Sequence, residues 1–409
     1  MAEPQKHYDI VIAGGGAAGI VAAISAARNG ASTLLCEKMQ KLGKKVRISG
    51  NGRCNLTNDN LNTDGFNPEA KALVESVFSR FGKQDILHFF KELGLRVYAE
   101  KKDGRVFPIT NQSASVLDVL ELELSKLGVE IRLESEVTAI VQKNGRFLVT
   151  LKSGDSVSAD HVILTAGGKS YPVGGTDGSA YQLAINFGHH LIEPVPGTVP
   201  LLSKDPWCPI LTGQKIIAAV RYQVEGRMGP RIEGDLLFTD YGLSGTAILD
   251  VGDEISVALG RSLSQDTSIV IDLVPFIHED ELKKELSRRM KRKFPNDKLT
   301  AGLLPPKFAI ALADVLKRRD PIEIATVLKN RTFTVNGTRG WNDAEFTAGG
   351  IDHREIDTKT LESKKCHGLY LAGEILDVNG RRGGFNLAWA WASGFIAGSS
   401  AVTAPKTRQ

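Results

Sequence analysis

Short apolar runs alternate with small-residue stretches in the first forty residues. Ile10, Val11 and Ile12 read as a strand buried on both faces, as in a parallel sheet. A glycine cluster and an alanine-rich helix follow, then a second buried strand that ends at Glu37. The apolar stretch 10–27 is long enough to suggest a membrane span, but Gly14, Gly15 and Gly16 interrupt it. It is therefore expected inside a doubly wound sheet, with no membrane role. Further on, Leu73, Val77, Phe78 and Phe81, then Ile86, Leu87, Phe89, Phe90 and Leu93, predict two helices over 69–93. A third follows Ser115 and stops at Gly128. Alternation next predicts strands Val129 to Leu133, Val137 to Gln142 and Phe147 to Leu151, the last two joined by an Asn144-Gly145 hairpin.

Residues 161–184 repeat the opening arrangement: a strand at Val162 to Leu164, a glycine turn from Thr165 through Ala166, Gly167 and Gly168, then a helix. From Glu193 the texture becomes proline-rich and then strand-like. IIAAVRYQV, DLLFTD, ISVAL and SIVIDLV are the expected strands. Helical patterns occupy 278–294, 307–319 and the stretch after Pro321. The segment 368–398 returns to strand, acidic turn, glycine pair and small-residue helix. The chain thus reads as an α/β first domain (1–192 and 346–409) interrupted by an insertion over 193–345, β-rich at 193–276 and helical at 277–330.

The chemistry begins at the first glycine cluster. Gly14, Gly16 and Gly19 have the spacing G-x-G-x-x-G between a strand and a helix. Gly14 permits the turn, Gly16 the approach of a pyrophosphate, and Gly19 the packing of helix on strand. Ala17 and Ala18 start the helix whose free N–H groups face the phosphates, and Glu37 is placed to accept from ribose hydroxyls. This predicts a dinucleotide site. Residues 38–58 read as an ordered loop lining it, in which Lys44, Lys45 and Arg53 neutralise phosphates and Gly50 and Gly52 let the backbone approach a flat ring. Lys38, Ser49 and Asn55 belong to the same lining, and a solvated basic loop is the alternative. Cys54 is either a small buried hydrophobe or a proton donor beside the cofactor.

The distant segment completes the cofactor assignment. Glu374, after Gly373, can accept a ribityl hydroxyl, and the helix starting near Gly384 aims its N–H groups at a flavin pyrimidine. Asp377, Phe385 and Ala388 flank these positions, and Val137 and the 166–168 turn join the cofactor-lining set. Asn386 is either a helix cap or a flavin contact. FAD is the expected cofactor. No second G-x-G-x-x-G occurs, so NAD(P)H is expected as a transient, small-molecule electron donor.

Composition narrows the classes. The 409 residues, 42% apolar, supply material for two cores. Cys36, Cys54, Cys208 and Cys366 form no C-x-x-C pair, which removes the disulfide-reductase signature and points to a reducing compartment. MAEPQKH lacks a secretory pattern, so cytoplasmic location is expected. The net charge of +4 does not by itself predict nucleic-acid binding. Basic runs at 283–293 and 314–319 are either solvated helix faces or a ribosomal RNA contact. FTDYGLSGTAIL at 238–249, with Asp240, Tyr241 and Ser244, is either a substrate-contacting turn or an ordinary strand end.

GGGAAG, GKKVRISGNGRCNLTN, VFPITNQSASVL, FTDYGLSGTAIL, FTAGGI and YLAGEILDVNGRRGGFNLAWAWASG together resemble the BaiN/YhiN-like family of FAD-dependent oxidoreductases, in family order across almost the whole chain. The chain differs from that pattern at Asn51 (usually Gly), Asp240 (usually His) and Arg381 (usually aromatic). The resemblance implies a glutathione-reductase-like, Rossmann-like FAD domain with the insertion described above and no permanent NAD(P) domain. It also implies reduction of an activated C=C bond by hydride from flavin N5, on steroid-like enones or on a uridine of ribosomal RNA. Cys54, Tyr241 and Arg382 are the candidate proton donors. A non-catalytic, redox-sensing flavoprotein that binds RNA or a protein is the alternative from another class.

Overall fold

The computed structural model describes residues 6–403, and the chain divides into two compact units, Met1–Pro194 with Phe346–Gln409 and Val195–Glu345. The first unit is built on β1 (His7–Ala13), α1 (Ala17–Arg28), β2 (Thr33–Cys36), α2 (Lys44–Ile48), α3 (Ser113–Lys126), β3 (Glu130–Arg132), β4 (Val137–Lys143), β5 (Arg146–Leu151), β6 (Ser156–Leu164), β7 (Leu369–Leu371) and α4 (Phe385–Thr403). Its main sheet runs β3-β2-β1-β6-β5-β4, with β7 also paired to β6. Ile12 lies between Leu35 of β2 and Ile163 of β6 in parallel register, so the apolar run is buried on both sides. The long β6 pairs antiparallel with β5 through its first half and parallel with β7 through its second. β7, the late strand, thereby ends beside the glycine turn at the carboxyl edge of the sheet. The Asn144-Gly145 hairpin has both central residues left-handed, φ 50° and 76°, as a tight β-turn of matching twist requires.

Small residues decide how the helices cover this sheet. A Cβ on Gly394 or Gly398 of α4 would lie 2.2 Å from the Ala18 carbonyl oxygen or 2.3 Å from that of Ala22, so α1 and α4 meet backbone to backbone. The Ser25 hydroxyl donates to the Phe395 carbonyl at 2.9 Å across the same crossing. Trp391 is fully buried edge-on to Phe90, its Nε1 donating to Leu56 O at 3.1 Å. This places segment 54–58 against α4.

The second unit carries an antiparallel sheet centred on Lys215–Val224, with Ile232–Thr239 on one side and Thr267–Asp272 on the other. Three expectations need correction. ISVAL, read as a strand, lies inside the helix Thr246–Gly260. Ala247, Ile248, Val251, Ile255 and Ala258 form one buried helical stripe, which outweighs the β-branched composition of the segment. Residues 38–58, read as a loop, contain the five-residue helix α2. The pattern at 307–319 is two short helices, Phe308–Ala311 and Ala313–Arg318, broken at Leu312. Among the described residues no helix is long and apolar enough to cross a membrane.

Within this unit Asp253, on the helix Thr246–Gly260, accepts the Thr198 backbone N–H. Burial pushes its carboxyl up to about 7 against the effect of that hydrogen bond, and the charges of Glu254, Asp250 and Glu345 add to the rise.

Candidate functional site

The three glycines of the first turn are required for different reasons. Gly14 has φ +112°, and an added Cβ would meet Ala166 Cα at 2.6 Å; one on Gly19 would lie 1.8 Å from Gly14 O. Gly16 has nothing within 4 Å of an added Cβ. Two glycines are therefore fixed by internal packing, and the third leaves an open face at the amino end of α1, a helix end whose free N–H groups suit a phosphate.

Glu37 ends β2 beside this turn. Its Oε2 accepts Gly15 N at 2.7 Å and its Oε1 accepts Met39 N at 2.8 Å. Burial raises its pKa, opposed by those two amides. A carboxylate has about four acceptor positions, so Glu37 keeps acceptor capacity beyond these backbone bonds. Val137 starts the strand after Ser135, whose N–H donates to Glu37 O at 2.8 Å, which sets it at the same end.

On the other side of the turn four residues from distant segments converge. Lys45 Nζ of α2 lies 2.6 Å from Glu374 Oε2 and 2.7 Å from Ser170 Oγ. Ser170 Oγ donates to Glu374 Oε1 at 2.7 Å, and Thr347 N donates to the same oxygen at 2.9 Å. Thr347 Oγ1 accepts Lys169 N and Ser170 N at 2.8 and 3.0 Å. Gly168 packs against this cluster, since its Cβ would fall 2.4 Å from Thr347 Oγ1. Ser170 and Thr347 are buried, whereas Lys45 and Glu374 are partly exposed.

A family model described as the HI0933-like protein Rossmann domain matches residues 8–400. The chain belongs to this family. It is 34% identical over 97% of its length to the 3-dehydro-bile acid delta(4,6)-reductase of Clostridium scindens, covering 99% of that protein. It is 29% identical over 98% of its length to the ribosomal RNA dihydrouridine synthase of Escherichia coli K12, again covering 99%. The fold is shared with a 3-ketosteroid delta1-dehydrogenase from Sterolibacterium denitrificans, at TM-score 0.51 and 14% identity, over 97% of this chain and 100% of that one. The HI0933-like protein is an FAD-dependent oxidoreductase.

The residues present fit FAD. Besides the open face at Gly16, the buried Asn55 Oδ1 has no hydrogen-bond partner, and it lies 2.9 Å from where a Cβ on Gly384 would stand. Gly384 has φ +102°, and that Cβ would also meet Thr57 O at 2.4 Å, so segment 55–57 and the start of α4 are in close backbone contact. The buried polar groups at this junction are those of a site completed by a ligand.

Other residues expected from the sequence to line the site have partners within the fold. Arg53 pairs with Glu100 at 2.8 Å and lies over the Phe107 ring at 3.8 Å. Lys38 pairs with Asp177 at 3.0 Å. Ser49 Oγ donates to Val46 O, and Asp377 Oδ1 accepts Gly349 N at 3.0 Å. Asn386 neither caps its helix nor points free. Its Oδ1 accepts Gly380 N at 2.8 Å and its Nδ2 donates to Gly380 O at 2.6 Å, a two-point clamp on the preceding loop. Phe385 and Ala388 are buried, and Arg381 lies over the Phe385 ring at 4.4 Å. Lys44, Gly50 and Gly52 stay on the partly exposed border of segment 44–53. Asn51 has φ +57°, a conformation that glycine or asparagine adopts readily.

Of the two readings of Cys54, its burial favours the packing residue: it is 0% exposed, and burial pushes its thiol up to about 12. Tyr241, in the second unit, is half-buried with Arg339 over its ring at 4.6 Å, and Arg382 is half-buried before the start of α4. Ser170 and Thr347 are members of the Lys45–Glu374 cluster that motif reading passes over. Thr347 lies within FTAGGI, a segment noted only for its resemblance.

Proposed function

We propose that this enzyme uses NAD(P)H to reduce an activated C=C bond of a small conjugated enone. The observation that carries this reading is the full-length similarity to a bile acid reductase, in a chain with one G-x-G-x-x-G turn and that turn built into the FAD unit. A nicotinamide donor then has no dinucleotide fold of its own and visits the site. Bound FAD supplies the hydride chemistry. The chain's part is to hold the adenosine end through Glu37 and the amino end of α1, to orient the middle of the cofactor through Glu374, and to keep water from the buried start of α4. The proton that completes the reduction is assigned to Tyr241 or Arg382, the two candidates that retain exposed surface.

Anaerobic mixing with NADH and with NADPH, followed by 3-oxo-4-ene steroids or ribosomal RNA, tests this. Flavin bleaching by one nicotinamide and recovery of its colour with an enone is the expected result. Bleaching without recovery by any enone would overturn the substrate class, and no bleaching would overturn the donor.

A second reading, reduction of a uridine in ribosomal RNA, is favoured by one feature of the basic helices. Five of their ten cations pair with acidic residues of the same helices or their neighbours: Lys283 with Glu279, Arg288 and Arg289 with Glu285, Lys317 with Asp314, and Arg318 with Glu323. Lys291, Arg292 and Lys293 are exposed and free of such partners. If RNA is the substrate, changing all three to glutamine should weaken rRNA binding at least tenfold. The slope of log K against log salt should then fall by about 2, with FAD content unchanged. Unaltered binding would remove the RNA reading from this surface.

A further inference from the structure

Within the first unit, the turn 100–104 joins the short antiparallel strands Val97–Ala99 and Arg105–Pro108 and sits against the loop that leads into α4. Asn58 Nδ2 ties the two together, donating to Asp103 O at 3.2 Å and to Gly383 O at 2.8 Å. Four carboxylates flank this junction, and each has its own cation. Glu100 pairs with Arg53 at 2.8 Å, and Asp103 with Arg105 at 3.0 Å. Asp59, whose N–H donates to Gly104 O, pairs with Lys83 at 3.5 Å. Asp64, next to the Gly65 carbonyl that accepts Arg381 N, pairs with Lys71 at 2.6 Å. Lys101, Lys102 and Arg381 remain. All three are exposed, and among the described residues no carboxylate pairs with them. The surface beside the start of α4 thus carries three positive charges that the fold does not neutralise.

We propose that Lys101, Lys102 and Arg381 dock the phosphates of the nicotinamide donor and favour its 2′-phosphorylated form, NADPH. The inference rests on the nicotinamide-driven reading above and names where the visitor binds. A chain with one G-x-G-x-x-G turn offers the donor no second glycine turn, so side chains must meet its charge. The pyrophosphate of either donor is anionic, and a 2′-phosphate adds about −1.5 to −2 near pH 7. Three uncompensated cations suit the more highly charged form. Exposed lysines act on phosphate as point charges and steer a charged visitor without a deep pocket, which suits a molecule that leaves after each turnover. The patch also adjoins the helix start expected to meet the flavin, so the donor's phosphates are held beside its hydride acceptor.

The test uses the FAD-loaded enzyme. Flavin bleaching is followed anaerobically over a range of NADPH and NADH concentrations, and binding of 2′,5′-ADP is measured by calorimetry. Wild-type enzyme that neither donor bleaches would defeat the donor reading itself. With bleaching intact, Lys101→Gln combined with Lys102→Gln should raise the NADPH Kd about tenfold and the NADH Kd about threefold. The limiting bleaching rate and flavin content should not change, and the NADPH Kd should depend less steeply on salt. Affinity for 2′,5′-ADP should fall in step with that for NADPH, Arg381→Gln should act in the same direction, and arginine at both lysine positions should keep wild-type affinity. Unchanged NADPH affinity in the double glutamine variant would overturn the docking site. Equal losses for the two donors would overturn the 2′-phosphate contact. Reoxidation by a neutral enone and by one bearing a carboxylate should stay as in the wild type. A loss confined to the carboxylate-bearing enone would assign these charges to the substrate and overturn donor docking.

Discussion

Gly16→Val should yield a folded but colourless protein, whereas Gly19→Ala should yield little folded protein at all. The two positions lie three residues apart in one motif, yet they face different surroundings. Gly16 has φ −82° and ψ −167°, extended backbone that valine adopts, and an added Cβ meets nothing within 4 Å. The loss in the apo-protein is that of a poorer helix N-cap, about 1 kcal/mol, or a few degrees of melting temperature. The same methyl groups fill the open face of the turn, and FAD affinity should fall at least a hundredfold. At Gly19 the new Cβ would lie 1.8 Å from Gly14 O and 2.7 Å from Thr165 Oγ1, which itself donates to Gly14 O at 2.8 Å. Neither backbone can yield without opening the β1–α1 contact, an overpacking loss of several kcal/mol. Visible absorbance per protein and apo-protein melting curves decide the matter. A yellow Gly16→Val variant with native stoichiometry would show that the pyrophosphate does not lie on that face.

Asp253→Asn should make the chain less sensitive to alkaline pH. An ordinary aspartate titrates near 4, and here the folded state holds its proton up to about 7. Between these values the folded chain binds more protons than the unfolded one, so stability is lost as pH rises from about 4 through 7 and stays lost above it. The full difference corresponds to about 4 kcal/mol, and relaxation with partial solvent access reduces this to about 1–3 kcal/mol. Asparagine keeps an oxygen for the Thr198 N–H and carries no charge. The variant should differ little from the wild type near pH 4 and be more stable by that amount at pH 8. Parallel curves at the two pH values would mean that Asp253 is ionised without penalty.

Much of the first unit is legible in the sequence, because buried parallel strands, glycine turns and small-residue helices have local signatures. Gly14, Gly16, Gly19 and Glu37 are placed by motif spacing alone, and the Asn144-Gly145 hairpin by turn chemistry. The second unit is less legible at the helix Thr246–Gly260, where isoleucine and valine suggest strand and only the stripe of contacts with the sheet selects helix. The site shows the same division. Single-residue roles at Lys45 and Glu374 can be guessed from type and position, but their pairing depends on Ser170 and Thr347, which come from different segments and have no motif of their own. Cys54, which the sequence leaves as either a packing residue or a proton donor, shows that residue type says nothing about which way a side chain faces. Its left-handed backbone, φ +61°, turns it into the core.

The crossing of α1 and α4 also bears on how the protein is made. Ser25 and Phe395, bonded across it, are 370 residues apart, so the alanine face of α1 stays uncovered on the ribosome until nearly all of the chain has emerged. The intervening unit is continuous in sequence and can close first, while the FAD unit waits for the slow, long-range contact that completes its sheet and its helix layer. A chain stopped before residue 374 has the glycine turn but lacks Glu374 and the helix α4 that covers α1.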